Sequence, residues 1–222
     1  MSLNLNDIAS PSTGSNKLCP AGNHRARVVS LIDMGVHNNF FDSTKPPKPK
    51  VSVTYELLDE FMDDEETKPF WVSETFALSH PKADLGTSTK RMKAIDPSNE
   101  LNFDISKIVS LPCTVTVVHE PKKDNPSESR IKISNVTPAM KMKGMTMPEL
   151  VNAPRLFLLS DPDLEVFNGL PDWMKSDIKQ NNNYEGSPLQ KLLNGGVAPK
   201  AKVEPMPQPE HEEAAFDDEV PF

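Results

Sequence analysis

Two segments near the middle of the chain alternate apolar and polar residues, and this period of two limits the fold more than any other feature. In residues 51–57 the apolar side chains stand at the odd positions. In residues 70–78 they stand mostly at the even positions, and Trp71 falls among the polar ones. Such alternation is typical of a strand with one buried and one solvent-facing side. The pattern therefore predicts two half-buried strands, with Tyr55 in the core and Trp71 on the polar face.

Other segments extend this pattern on both sides. Residues 25–33, 111–119 and 130–136 are rich in β-branched residues and predict three more strands, while residues 86–95 predict a helix. Prolines between residues 34 and 50 donate no backbone hydrogen bond, so this stretch predicts a long basic loop. The order strand, strand, strand, helix, strand, strand is that of the OB-fold, a five-stranded Greek-key barrel. We therefore expect a mainly β protein with this barrel as its body.

The same region resembles a known class of proteins. Residues 24–29 and 33–35, together with residues 103–108 and 112–119, look like phage-encoded single-stranded DNA-binding proteins of the OB class. The resemblance spans roughly residues 20–140. It implies a protein that coats and protects single-stranded DNA, without strong sequence preference, during phage DNA replication, recombination or repair.

The last seven residues, 216–222, have the character of a peptide ligand, with an acidic segment and an apolar end. Three acids precede a valine, a rigid proline and a phenylalanine that also bears the terminal carboxylate. This stretch is similar to the C-terminal tip of bacterial single-stranded DNA-binding proteins, with valine in place of isoleucine and glutamate in place of the last aspartate. The resemblance implies recruitment of replication or recombination proteins by Asp217, Asp218, Glu219, Val220, Pro221 and Phe222. The alternative, a solubilising acidic tail, leaves the terminal phenylalanine unexplained.

The net charge of −8 comes largely from one end of the chain. Residues 203–222 hold seven acids and no lysine or arginine, and removing these seven negative charges leaves −1 for residues 1–202. Cys19 and Cys113 show no disulfide or metal-ligand spacing, which favours a reducing compartment. The polar N-terminus and the lack of a long apolar run predict a soluble protein with no membrane partner. We expect it in the cytoplasm, that of the host cell if it is phage-encoded.

Binding of single strands without sequence preference requires aromatic rings for base stacking and cations for phosphates. The candidates for stacking are Trp71 and, in the basic loop, Phe40 and Phe41. The alternatives are that Trp71 covers apolar neighbours at the sheet rim and that the two phenylalanines anchor their loop. The candidate phosphate contacts are Arg25, Arg27, Lys48, Lys50, Arg130, Lys132, Lys141 and Lys143. Any one of these cations is at least as well explained as ordinary surface, so the prediction depends on the group.

Composition divides the chain into four parts. Residues 1–23 predict a flexible arm, and residues 24–144 the OB-fold domain. Residues 145–180 carry many apolar groups and predict short helices packed on the barrel as a satellite. Residues 181–222 predict a disordered linker that ends in the acidic tip.

The sequence gives little support to catalysis. It shows no nucleophile elbow, glycine-rich phosphate loop or metal-binding histidine pair, and the acids of residues 59–66 lack the spacing of a calcium loop. We expect no catalytic residues, metal or cofactor. Two alternatives stay open. One is an adaptor whose barrel binds protein rather than DNA, and the other is an enzyme that carries the same kind of acidic C-terminal tip. The oligomeric state is also open, a homodimer included.

Overall fold

A computed structural model describes residues 18–39, 44–62, 67–122, 125–140 and 147–196. Six strands and four short α-helices make up the described chain. The strands are β1 (Gly22–His37), β2 (Lys48–Phe61), β3 (Pro69–Ala77), β4 (Pro112–Pro121), β5 (Ser129–Pro138) and β6 (Arg155–Phe157). The helices are α1 (Thr87–Ile95), α2 (Leu164–Asn168), α3 (Asp172–Lys179) and α4 (Pro188–Leu193).

The strands form one six-stranded sheet in which five follow the order β3-β2-β1-β4-β5. Each neighbouring pair along this path is antiparallel, whereas β6 runs parallel to β1. The mainly β class and the helix between the third and fourth strands are confirmed. The predicted closure into a five-stranded barrel is not seen, because no ladder joins β3 to β5 in the described part of the chain. These two edge strands approach each other, and α1 contacts both of them and covers the gap.

The main core lies on one face of the sheet, which we call the inner face, and the opposite face is the outer face. The alternating apolar residues of β2 and β3 meet those of β4, β5 and α1 on the inner face. Tyr55 is fully buried, and its hydroxyl donates a 2.9 Å hydrogen bond to Glu74 Oε1. Glu74 also accepts two hydrogen bonds from Arg91 of α1, at 2.8 and 2.9 Å. Burial, with the Glu74 charge adding to it, raises the pKa of Tyr55 well above its ordinary value, so the phenol remains a donor to the carboxylate.

An irregularity in β1 gives the sheet a second buried side. The pairing of β1 with β2 shifts between Val28 and Ser30, which changes the face on which later residues of β1 lie. Leu31 still belongs to the main core, but Ile32 and Met34 belong to a second cluster on the outer face. Phe157 of β6 is fully buried in that cluster. The bulge therefore lets one strand support two separate cores.

The helices after β6 complete the second cluster. Phe167 of α2, Ile178 of α3 and Leu189 of α4 are buried in it. The backbone of Asn182 donates a 2.8 Å hydrogen bond to the Val36 carbonyl of β1, which fixes the end of α3 to the sheet. Helix α4 lies within the segment predicted to be a disordered linker from residue 181. Composition alone missed it because a single buried leucine in a polar stretch is a weak signal.

Within the described ranges, no helix is long and apolar enough to cross a membrane. The same ranges contain no group of three or more His, Cys, Asp or Glu side chains placed to hold a metal ion.

Candidate nucleic-acid interface

The outer face of β2 and β3 carries small polar side chains beside one large ring. Thr54 of β2 and Ser73 of β3 are cross-strand partners, and their hydroxyl oxygens lie 2.9 Å apart. Ser73 and Thr75 are exposed, and Trp71 stands on the same face with 38% of its surface accessible. The period-two alternation predicted this placement of Trp71. The face is thus a shallow polar floor with an aromatic ring near one end.

A cavity of about 420 Å³ lies between this floor and the connection from α2 to α3. Trp71 lines it from the sheet, and Trp173 lines it from the first turn of α3. Trp173 is 60% exposed, so most of its ring is open to solvent. Two indole rings and a polar floor therefore border one open groove.

A guanidinium group also lines this cavity. Arg155 belongs to β6, and its Cζ lies 5.7 Å from the centre of the Trp71 ring, within range of a cation–π contact. The parallel pairing of Arg155 with Ser30 of β1 fixes its position along the sheet. The groove consequently holds a positive charge directly beside its principal ring.

A buried carboxylate holds Trp71 and the segment that leads to β6. Glu56 of β2 is 0% exposed, although the alternation places it on the polar face. Its Oε2 accepts hydrogen bonds from Trp71 Nε1 at 3.0 Å and from the backbone and side-chain nitrogens of Asn152 at 3.3 and 2.7 Å. Its Oε1 accepts from the Val151 backbone nitrogen at 2.6 Å. Four donors thus converge on one side chain, which orients the indole ring.

A second cavity of about 230 Å³ lies where β1 and β2 meet at the other end of the β3 face. Lys48, Lys50, His37 and Ala77 are among the residues that line it. Lys48 is exposed and Lys50 is partly exposed. Among the residues that the structure describes, no ion pair neutralises either lysine. This cavity is therefore the more basic of the two.

The predicted phosphate contacts Arg25 and Arg27 are engaged elsewhere. Arg25 forms a two-pronged ion pair with Asp59 of β2, its Nε lying 2.7 Å from Asp59 Oδ2. Arg27 donates to the carbonyls of Pro148 and Ser110 at 2.7 and 2.9 Å, and it also pairs with a glutamate that follows Pro148. Both side chains are largely buried, and their donors are used to hold the protein itself together.

Of the remaining predicted residues the structure describes Arg130 and Lys132, and neither lines the groove. Arg130 and Lys132 lie on β5, where both pair with Glu120, at 3.1 and 2.5 Å. The cavity beside Trp71 is lined by residues of β1, β2, β3, β6, α3 and the connection from α2 to α3, and by no described residue of β5. The other predicted residues lie outside the described ranges: Phe40, Phe41, Lys141, Lys143 and the tip residues Asp217, Asp218, Glu219, Val220, Pro221 and Phe222.

Trp173 and Arg155 are the groove residues that sequence reasoning missed. Trp173 is one of the apolar residues on which the satellite of residues 145–180 was predicted. The buried residues of α3 are Met174 and Ile178, which are four apart and share a face. Applying this spacing strictly would have placed Trp173 off the buried stripe and identified it as exposed. Arg155 carried no comparable signal, since a three-residue strand is too short for a periodic pattern.

Comparison with protein-family models, with curated proteins and with solved structures finds no match to this chain.

Proposed function

We propose that this protein binds single-stranded DNA, without strong sequence preference, in the groove bordered by Trp71, Trp173 and Arg155. The observation that carries the proposal is the presence of two exposed indole rings and a guanidinium group on one open cavity above a polar sheet face. Proteins that bind single strands in this way combine aromatic rings, on which bases stack, with cations near the phosphates. Every base has a π-face, so such binding tolerates any sequence.

The groove also favours single strands over duplex DNA. Stacking on Trp71 or Trp173 requires a base whose face is free, whereas the bases of a duplex are already stacked and paired. The groove is bounded on one side by the Gly169–Leu170–Pro171 connection, which restricts its width. A single strand can present its bases inward along such a groove.

The strand arrangement supports an OB-fold body as part of this proposal. β1 pairs with both β2 and β4, α1 precedes β4, and the path β3-β2-β1-β4-β5 is that of a five-stranded barrel opened between β3 and β5. OB-folds are partly open barrels that bind oligonucleotides on the face of their second and third strands. The groove lies on that face.

The acidic C-terminal tip completes the proposal. Its sequence supports recruitment of replication, recombination or repair proteins to the bound strand, with the ring of Phe222 in a pocket and the acids against basic residues. In this role the protein coats and protects DNA, and the tip delivers its partners.

The test is binding of a fluorescently labelled oligo-dT to the full chain at low salt, followed by anisotropy. Trp71→Ala and Trp173→Ala should each weaken binding by roughly 5- to 150-fold, since stacking is worth about 1–3 kcal/mol per base. Leu85→Ala, which removes an 88% exposed side chain that does not line the groove, should bind like the wild type.

Three results would separate the alternatives. If the wild-type chain does not bind oligo-dT but still captures partners through its tip, the adaptor alternative is favoured. Equal affinity for oligo-dT and a duplex would contradict the stacking model. Binding that is unaffected by Trp71→Ala would place the site elsewhere on the molecule.

A further inference from the structure

We infer that the two cavities are the ends of one DNA track along the outer face of β3, with bases held at Trp71 and backbone phosphates held at Lys48 and Lys50. This inference rests on the proposed function and adds the route that the DNA follows along the sheet and the length of that route. It assigns a separate role to the second cavity, which lies outside the groove.

The residues of β3 connect the two cavities. Trp71, Ser73, Thr75 and Ala77 follow one another at every second position, so they share one face of the strand. The first three line the larger cavity, and Ala77 lines the smaller one. Trp71, Ser73 and Thr75 are exposed and Ala77 is partly exposed, so none of the described residues of the satellite buries this row of β3.

The neighbouring face of β2 is less suitable as a track. Ser52, which pairs with Thr75, is buried at 2% exposure. The second hydrophobic cluster includes Leu170 and Met174, which line the same cavity as Ser52. The open route between the cavities therefore follows β3, at the edge of the sheet.

The register of β2 places the lysines at the end of this route. Lys50 is the cross-strand partner of Ala77, and Lys48 lies two residues further along the same face of β2. Ala77 is six residues from Trp71, a distance of about 20 Å along a strand. A path of this length accommodates roughly four nucleotides, the lower end of the site size of a single OB-fold. One strand can therefore contact the rings and the lysines together.

Charge complementarity indicates that the smaller cavity holds the phosphate backbone of the DNA. Lys48 and Lys50 carry ammonium groups on flexible stems, which suit phosphates as point charges. Among the residues that the structure describes, no carboxylate lines this cavity, so the charges of both lysines are open to pairing with a phosphate.

The test compares the salt dependence of binding for two double variants of the full chain. The probe is oligo-dT of about 16 nucleotides, the upper end of the site size for one OB-fold. Lys48→Gln/Lys50→Gln should reduce the slope of log K against log salt by about 1.4, because each phosphate contact on a single strand contributes about 0.7. Arg130→Gln/Lys132→Gln removes the same two charges from β5, where both pair with Glu120, and should leave the slope unchanged.

A second pair of variants tests the route between the cavities. Thr75→Glu places a carboxylate at the middle of the proposed track and should weaken binding at low salt by roughly ten-fold. Asn135→Glu adds the same charge at an exposed position of β5 and should have little effect. These surface substitutions leave the cores intact, and circular dichroism checks that each variant is folded.

The results distinguish this inference from the proposed function. If binding depends on Trp71 but the two double variants show the same slope of log K against log salt, the groove is retained and the track is overturned. Equal effects of Thr75→Glu and Asn135→Glu would also overturn the track. A wild-type chain that binds no oligo-dT would overturn the proposed function itself, and the track with it.

Discussion

Replacing Glu56 by glutamine tests how the groove is held in shape. Glutamine has nearly the same volume, but one carboxylate oxygen becomes an amide nitrogen. In the better orientation its oxygen takes the place of Oε2 and keeps the three hydrogen bonds from Trp71 and Asn152. The amide nitrogen then faces the backbone nitrogen of Val151, which lies 2.6 Å from Oε1 in the wild type.

The structure sets the size of the effect. Two donors face each other in Glu56→Gln and one hydrogen bond is lost, which should lower the free energy of unfolding by about 1–3 kcal/mol. Glu56→Ala removes all four hydrogen bonds and should cost at least about 3 kcal/mol. The loss of unfolding free energy should be smaller than the sum for four separate hydrogen bonds. Val151 and Trp71 are exposed residues, so water can hydrate their nitrogens in the variant.

The assay is urea denaturation of both variants, followed by circular dichroism and tryptophan emission. The matched control is Glu149→Gln, in which an exposed glutamate loses its pairing with Arg27; this should cost under about 1 kcal/mol. A Glu56→Gln protein within about 0.5 kcal/mol of the wild type, the range of ordinary surface changes, would refute the role assigned to this carboxylate.

Three other predictions concern the folded body. Gly35→Ala should destabilise the protein by about 1–3 kcal/mol in urea denaturation, because residue 35 has φ +85° and an added Cβ would lie 2.5 Å from Asn181 Cγ; a neutral effect would contradict the packing of Asn181 there. Burial raises the pKa of the Cys113 thiol to about 12, so a disulfide reagent at pH 8 should modify it rapidly only after unfolding; equal rates in the native and unfolded protein would refute this. Leu189→Ala should cost about 2–5 kcal/mol of unfolding free energy, since Leu189 of α4 is fully buried, whereas Leu85→Ala should cost little; equal effects would show that α4 does not pack on the body.

The predictable part of this fold is the part governed by local pattern. Alternation in β2 and β3 depends only on the pleat of a strand, so it correctly gave a buried Tyr55 and an outward Trp71. The helix between β3 and β4 was also predicted, although its N-cap is Gly86 rather than a serine or threonine, which are favoured at this position. Ser88 is used differently, since its hydroxyl accepts a hydrogen bond from the Ser79 backbone nitrogen.

The less predictable part depends on partners far away in the chain. Arg25 and Arg27 have the residue type of phosphate contacts, but Asp59 is 34 residues from Arg25 and Pro148 is 121 residues from Arg27. Nothing in the local sequence reports such pairings. The buried position of Glu56 has the same origin, because its donors at residues 151 and 152 come from the segment leading to β6. Candidate cations can therefore be proposed from sequence, but their availability is a property of the fold.

Ultraviolet cross-linking of oligo-dT to the full chain, with the linked peptides identified by mass spectrometry, tests the central claim most directly. Cross-links should fall on the β3 peptide that contains Trp71 and on the α3 peptide that contains Trp173, and excess unlabelled single strands but not duplex should compete them away. Cross-links confined to β4 and β5, or none at all in dilute buffer, would contradict the account.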